Sequence, residues 1–158
     1  MNYIGIDPGK SGGIAIIRED GSVSVAPFSQ SEYRSLLFSL DGDTSNTVAC
    51  IERVHAFSGQ GVTSCFSFGE NFGWIQGLLF SYGITTHLVI PQIWKKHYSL
   101  IFGKGTDKSI IKHESIKRAR SIFPNICLRK TSRCKTDDDG MAEALLIANY
   151  AKEMRLKP

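Results

Sequence analysis

No stretch of this 158-residue chain approaches the roughly 18 uninterrupted apolar residues of a membrane span. Residues 1–7 also lack the basic start and long apolar run of a signal peptide. No membrane association is expected, and a cytoplasmic location is. The four cysteines, Cys50, Cys65, Cys127 and Cys134, contain no Cys-x-x-Cys pair, which argues against a zinc knuckle or redox motif and for reduced thiols. His55, His87, His97 and His113 show no paired metal spacing, and there is no Gly-x-Ser-x-Gly for a nucleophilic serine. Gly9-Lys10-Ser11 is not a phosphate-binding P-loop, because Ile4 stands where that motif needs its first glycine.

Acidic side chains are scarce in one long segment. Residues 95–135 hold twelve basic and two acidic residues, whereas residues 1–94 hold four and eight, and residues 136–158 three and five. A cationic block of this kind is the footprint of a polyanion partner, since each phosphate neutralised releases a condensed counterion. A solvated basic face is the plainer alternative.

The length suits one domain, residues 1–158, with a single core. Residues 2–7 read as a strand ending in a carboxylate, Asp7, followed by a turn and two further strands at 13–17 and 22–27. A helix is expected over 31–40, capped by Ser29 or Ser31, and then a strand over 47–51 that again ends at a carboxylate, Glu52. Residues 62–82 have helical spacing, with Gly69, Gly73 and Gly77 forming one bare stripe. Such a stripe implies close approach of another backbone, either the helix's own sheet or a second copy of the chain. A buried strand over 85–90, a short helix opened by Pro91, and a basic helix capped by Thr106 or Asp107 and closed by Pro124 come next. A basic connector over 125–136 leads to a last helix that begins at the aspartates 137–139 and runs to about Met154, with Ala144, Leu145 and Ala148 facing inward. Strands first, then alternating helices and strands, indicate an α/β fold: a mixed five-stranded sheet flanked by helices on both faces.

Two strand-end carboxylates, Asp7 and Glu52, can be brought together by a pleated sheet, and Asp139 and Glu143 share one face of a helix. If the four converge, they form an all-oxygen anionic site, and hard carboxylate ligands favour Mg²⁺ or Mn²⁺. Two such ions about 4 Å apart can activate water and stabilise the leaving oxygen in phosphodiester hydrolysis. The actin and sugar-kinase ATPase architecture also places an acidic, glycine-rich hairpin on phosphates, but it normally needs two domains and a longer chain.

Tyr3-Ile4-Gly5-Ile6-Asp7-Pro8-Gly9 resembles the opening of RuvC-type Holliday-junction resolvases, and Ile51-Glu52-Arg53-Val54-His55 resembles their second motif. Ile90-Pro91-Gln92-Ile93-Trp94-Lys95-Lys96 and the run from Asp139 to Ala148 are similar to phage members in particular. The resemblance implies a ribonuclease-H-like homodimer that nicks opposed strands of a four-way DNA junction with two Mg²⁺ ions per subunit, Mn²⁺ substituting, and leaves 5′-phosphates. It implies metal ligation by Asp7, Glu52, Asp139 and Glu143, and phosphate contacts from Lys95, Lys96 and Lys108, with Lys108 or Lys95 steadying the transition state. His55 and Phe57 fall where the family probes the junction core. If the chain is phage-encoded, the implied compartment is the bacterial host cytoplasm. Bacterial members of the family carry two acidic or histidine ligands three apart in the last helix; here Gly140 precedes Glu143 by three, so the resemblance implies Asp139, or Asp138 if the helix begins late, as the partner. The same site chemistry would also suit flaps, forks or RNA–DNA hybrids, or survive in an inactive junction-binding protein.

Overall fold

The alternating apolar residues of β1 (Asn2–Asp7) decide the architecture. Successive side chains of a strand point to opposite faces, so Ile4 and Ile6 go one way and Tyr3, Gly5 and Asp7 the other. In the computed structural model, which describes residues 1–40, 44–54, 61–103 and 105–158, β1 lies at the centre of a five-stranded sheet. It pairs antiparallel with β2 (Gly13–Ile17), which pairs antiparallel with β3 (Val23–Pro27). On its other side it pairs parallel with β4 (Thr47–Glu52), which pairs parallel with β5 (Thr85–Val89), giving the order β3-β2-β1-β4-β5. The strand expected to be buried at 85–90 is thus an edge strand, and Leu88 on it is exposed.

Ile4, Ile6, Ile14, Ile16, Ala49 and Ile51 fill one face against α1 (Gln30–Phe38) and α2 (Val62–Ser81), with Tyr33, Leu37, Ile75 and Leu79 opposite them. Each such isoleucine or leucine contributes about 1.5–3 kcal/mol on burial. Ser29 caps α1, its hydroxyl accepting from the Glu32 amide. The other face carries Ala15, Ile17 and Cys50 and is covered by α3 (Pro91–His97), α4 (Lys108–Ile122) and α5 (Asp139–Glu153). Asp107 caps α4 and Asp138 caps α5.

α5 is buried nearly all round, from Gly140 to Asn149, rather than along the single stripe expected, because it lies flat on the sheet with α3 and α4 beside it. Glycine permits this approach. A Cβ on Gly5 would stand 2.1 Å from the Ala148 nitrogen, and one on Gly140 would stand 2.1 Å from the Ser11 carbonyl oxygen. By contrast, a Cβ on Gly69, Gly73 or Gly77 would meet nothing within 4 Å. The stripe on α2 therefore does not pack on its own sheet, which corrects one of the two readings offered for it. No helix among the described residues is long and apolar enough to cross a membrane, and Cys50, Cys65, Cys127 and Cys134 form no disulfide among the described residues.

Candidate active site

Strand parity puts Asp7 on the α5 face together with Gly5, and Glu52 on that same face together with Cys50. The parallel register pairs Ile6 with Ile51, so the two carboxylates sit side by side, one step beyond, at the C-terminal ends of adjacent strands. α5 reaches this edge because its first turn seats on the turn after β1, and Asp139 and Glu143 point from successive turns of the helix.

The electrostatics report the convergence. Burial pushes the Asp7 carboxyl well above the usual carboxylate range, the nearby charges of Glu143, Glu52 and Asp139 push it further, and Lys95 opposes them. Glu52 is raised as well, chiefly by burial, against the pull of Lys95 and of a hydrogen bond from Trp94. The Trp94 indole N–H donates to Glu52 Oε2 at 2.7 Å. Lys95 Nζ lies 3.3 Å from Glu143 Oε1 and 3.1 Å from Oε2, and the buried Ser115 hydroxyl donates to Glu143 Oε1 at 2.9 Å. Lys112 pairs with Asp139 Oδ2 at 2.8 Å.

The three consecutive aspartates have three different partners. Asp137 is held in a fork by Arg120, at 2.8 and 2.7 Å. Asp138 accepts from the Met141 amide at 2.9 Å and pairs with Lys130 at 2.9 Å, so both its oxygens are engaged in capping and anchoring α5. Asp139 is the one whose charge bears on Asp7.

Lys95 lies within the carboxylate cluster, on Glu143, and Lys96 and Lys108 are exposed. His55 and Phe57 lie outside the described residues. Reading the sequence missed Trp94, Ser115 and Lys112. Ser115 carried a usable signal, since it shares the buried face of α4 with Ala119, and a buried hydroxyl needs a partner.

Among the described residues no three histidine, cysteine, aspartate or glutamate side chains are gathered closely enough to hold a metal ion as they stand. Charge coupling reaches farther than ligation, so four carboxylates can influence one another without sharing a ligation point. The donor set still fits a hard divalent cation: it is all oxygen, anionic and partly desolvated, and Glu52 and Glu143 have flexible side chains.

No protein-family model and no curated protein sequence matches the chain. Solved structures do. Thermus thermophilus RuvC in complex with a Holliday junction substrate matches with a TM-score of 0.61 at 16% identity, covering 98% of this chain and 96% of that one. A second Thermus thermophilus RuvC structure matches with a TM-score of 0.56 at 17% identity, covering 99% and 98%. The chain has the RuvC fold. The five-stranded mixed sheet of this RuvC-like, ribonuclease-H-like architecture is the one expected from the sequence. At these identities the likeness to RuvC establishes the fold and leaves the side chains to be argued from their own chemistry.

Proposed function

We propose that the protein is a divalent-metal-dependent endodeoxyribonuclease that resolves four-way DNA junctions by paired nicks. The observation that carries this reading is the crowding of Glu52, Asp139 and Glu143 around Asp7 at one sheet edge of a RuvC-like fold. Like charges coupled in this way are stabilised by a cation, and Asp7, Glu52, Asp139 and Glu143, with their side chains drawn inward, would hold Mg²⁺ or Mn²⁺, two ions per subunit. Ions bound there supply activation of a water and neutralisation of charge at the leaving oxygen.

The chain's own residues do the rest. Asp7, central to the cluster, fixes where the scissile phosphate must come. Lys95 and Lys112, now on Glu143 and Asp139, bring positive charge to within reach of that phosphate. Lys96 and Lys108 stand exposed on the same basic segment and would grip the flanking backbone. His55 and Phe57 would probe the junction core.

Paired nicks need two sites. On α2, Val62, Phe66, Gly69, Gly73, Gly77 and Phe80 recur at helical spacing on a solvent-facing stripe, and Val62, Phe66 and Phe80 are largely exposed. A second copy of this chain, packed helix to helix, would cover it. The compartment we assign is the cytoplasm, that of the bacterial host for a phage-encoded chain.

The test is cleavage of labelled four-way junction, Y-fork, RNA–DNA hybrid and plain duplex at fixed salt with Mn²⁺. Symmetric 5′-phosphate nicks confined to the four-way junction are expected. Equal cutting of forks would point to a broader branched-DNA nuclease, and binding without any cutting would reduce the protein to a junction-binding role.

A further inference from the structure

We infer that Trp94 and Ser115 are positioning residues for the carboxylate cluster, Trp94 setting the direction of Glu52 and Ser115 that of Glu143. The inference rests on the metal-nuclease reading above and assigns work to two residues to which the sequence had given no role.

The argument begins with what kind of donor each is. Lys95 and Lys112 meet their carboxylates as cations, so they neutralise the charge they touch. Trp94 and Ser115 are neutral. An indole N–H or a hydroxyl fixes an oxygen in space without adding a positive charge of its own. The Trp94 N–H donates to Glu52 Oε2 at 2.7 Å, and the Ser115 hydroxyl, which also lies 3.3 Å from the Ile111 carbonyl oxygen, donates over the shorter distance of 2.9 Å to Glu143 Oε1, the oxygen that Lys95 Nζ approaches at 3.3 Å. In each case one carboxylate oxygen is held by a neutral donor, which selects one side-chain rotamer of a flexible glutamate.

Both donors are themselves immobile. Trp94 and Ser115 are fully buried, in the core formed by α3, α4 and α5 and along the inner face of α4. Pro91 opens α3 and fixes its first turn, and Lys95 Nζ lies 5.0 Å from the centroid of the Trp94 ring, bracing it from the site side. Hydrogen bonds in such desolvated surroundings are stronger and more directional than at the surface. A tryptophan that served only as core filler would need any acceptor for its N–H. This one takes a strand-end glutamate whose preceding residue, Ile51, pairs in register with Ile6, the residue before Asp7.

The test measures Mn²⁺ binding to the purified, DNA-free protein by loss of the free-ion electron paramagnetic resonance signal, alongside melting temperature and junction binding without divalent ions. Trp94→Phe keeps an aromatic ring and removes the donor; Ser115→Ala is nearly isosteric and does the same. Each is expected to weaken Mn²⁺ binding about tenfold, the lower range for loss of an outer ligand-orienting contact. Junction affinity should stay at the wild-type value, and Ser115→Thr, which retains a hydroxyl, should restore ion affinity. Folded variants that bind Mn²⁺ as tightly as wild type would overturn the inference while leaving the nuclease reading intact. A wild-type protein that binds no Mn²⁺ would overturn that reading and the inference with it. If Trp94→Phe does not fold, Ser115→Ala and Ser115→Thr decide between these outcomes.

Discussion

On Asp7 a negative charge is costly. Its carboxyl pKa is raised, first by burial and then by Glu143, Glu52 and Asp139. A raised carboxylate in the folded state favours folding most fully below its unfolded value and loses that contribution as pH climbs through the raised value. The ion-free protein should therefore lose this stabilising contribution as pH rises above the ordinary carboxylate range, and Mn²⁺ should offset the loss. Asp7→Asn is expected to flatten that part of the melting-temperature profile and to raise the melting point at neutral pH without ions. It should also abolish cleavage while leaving junction binding intact or tighter, since an anion near phosphate is gone. Thermal melts across pH and a paired gel-shift and cleavage assay check the two halves; equal loss of binding and cleavage would mean that Asp7 is a folding residue. At this scale the sequence was partly legible. Asp7 and Glu52 stood out because each closes a β-branched or alternating run, but whether Asp138 or Asp139 joins them depended on which carboxylate the helix cap consumes. That is decided by the Lys130 side chain and the Met141 amide, which no spacing reveals.

Helix α5 shows how a whole element is placed by residues that contribute no side chain. It sits on β1 only because Gly5 leaves room for the backbone at Ala144 and Ala148. Gly5→Ala forces a Cβ into that backbone, which cannot step aside as a side chain would, and should cost about 3 kcal/mol, the upper end of overpacking penalties. Chemical denaturation measures it, and a change below about 1 kcal/mol would show that α5 is less tightly seated than described. One of the two glycine readings failed in an instructive way. Three glycines in helical register on α2 drew attention, whereas the tight seat belongs to Gly5 and Gly140, which lie far apart in sequence and form no pattern. Element type and order were readable from periodicity; which element presses on which was not, because contact between distant segments leaves no local period. The α2 stripe keeps its other reading. Gly73→Glu improves intrinsic helix propensity by up to about 1 kcal/mol yet places charge on the exposed face. Sedimentation should show the wild type as a dimer and the variant as a monomer with unchanged helicity; a monomeric wild type would remove the dimer from the proposal.

Across the molecule, the excess of positive charge over residues 95–135 is smaller in effect than in count. Lys95, Lys112, Arg120 and Lys130 are paired with Glu143, Asp139, Asp137 and Asp138, so the acidic start of α5 neutralises part of the basic segment. Exposed cations such as Lys96 and Lys108 remain for DNA backbone. The salt dependence of junction binding should accordingly be shallower than the number of basic residues suggests. Lys96→Ala and Lys108→Ala should each reduce the slope of log affinity against log salt by about 0.9, the increment for one phosphate contact on duplex DNA. Binding isotherms over a salt series give the slope directly, and an unchanged slope would remove that lysine from the interface.

The seating of α5 also orders events during synthesis. β1 to β5 leave the ribosome before Asp139–Glu153 does, and until that helix lands, the sheet face bearing Ala15, Ile17 and Cys50 lacks the helix that lies flat on it and Asp7 lacks two of its three acidic neighbours. The same segment completes both, so a nascent chain has no stage at which it is fully folded but only half equipped: maturity of the globule and maturity of its anionic edge arrive in one step.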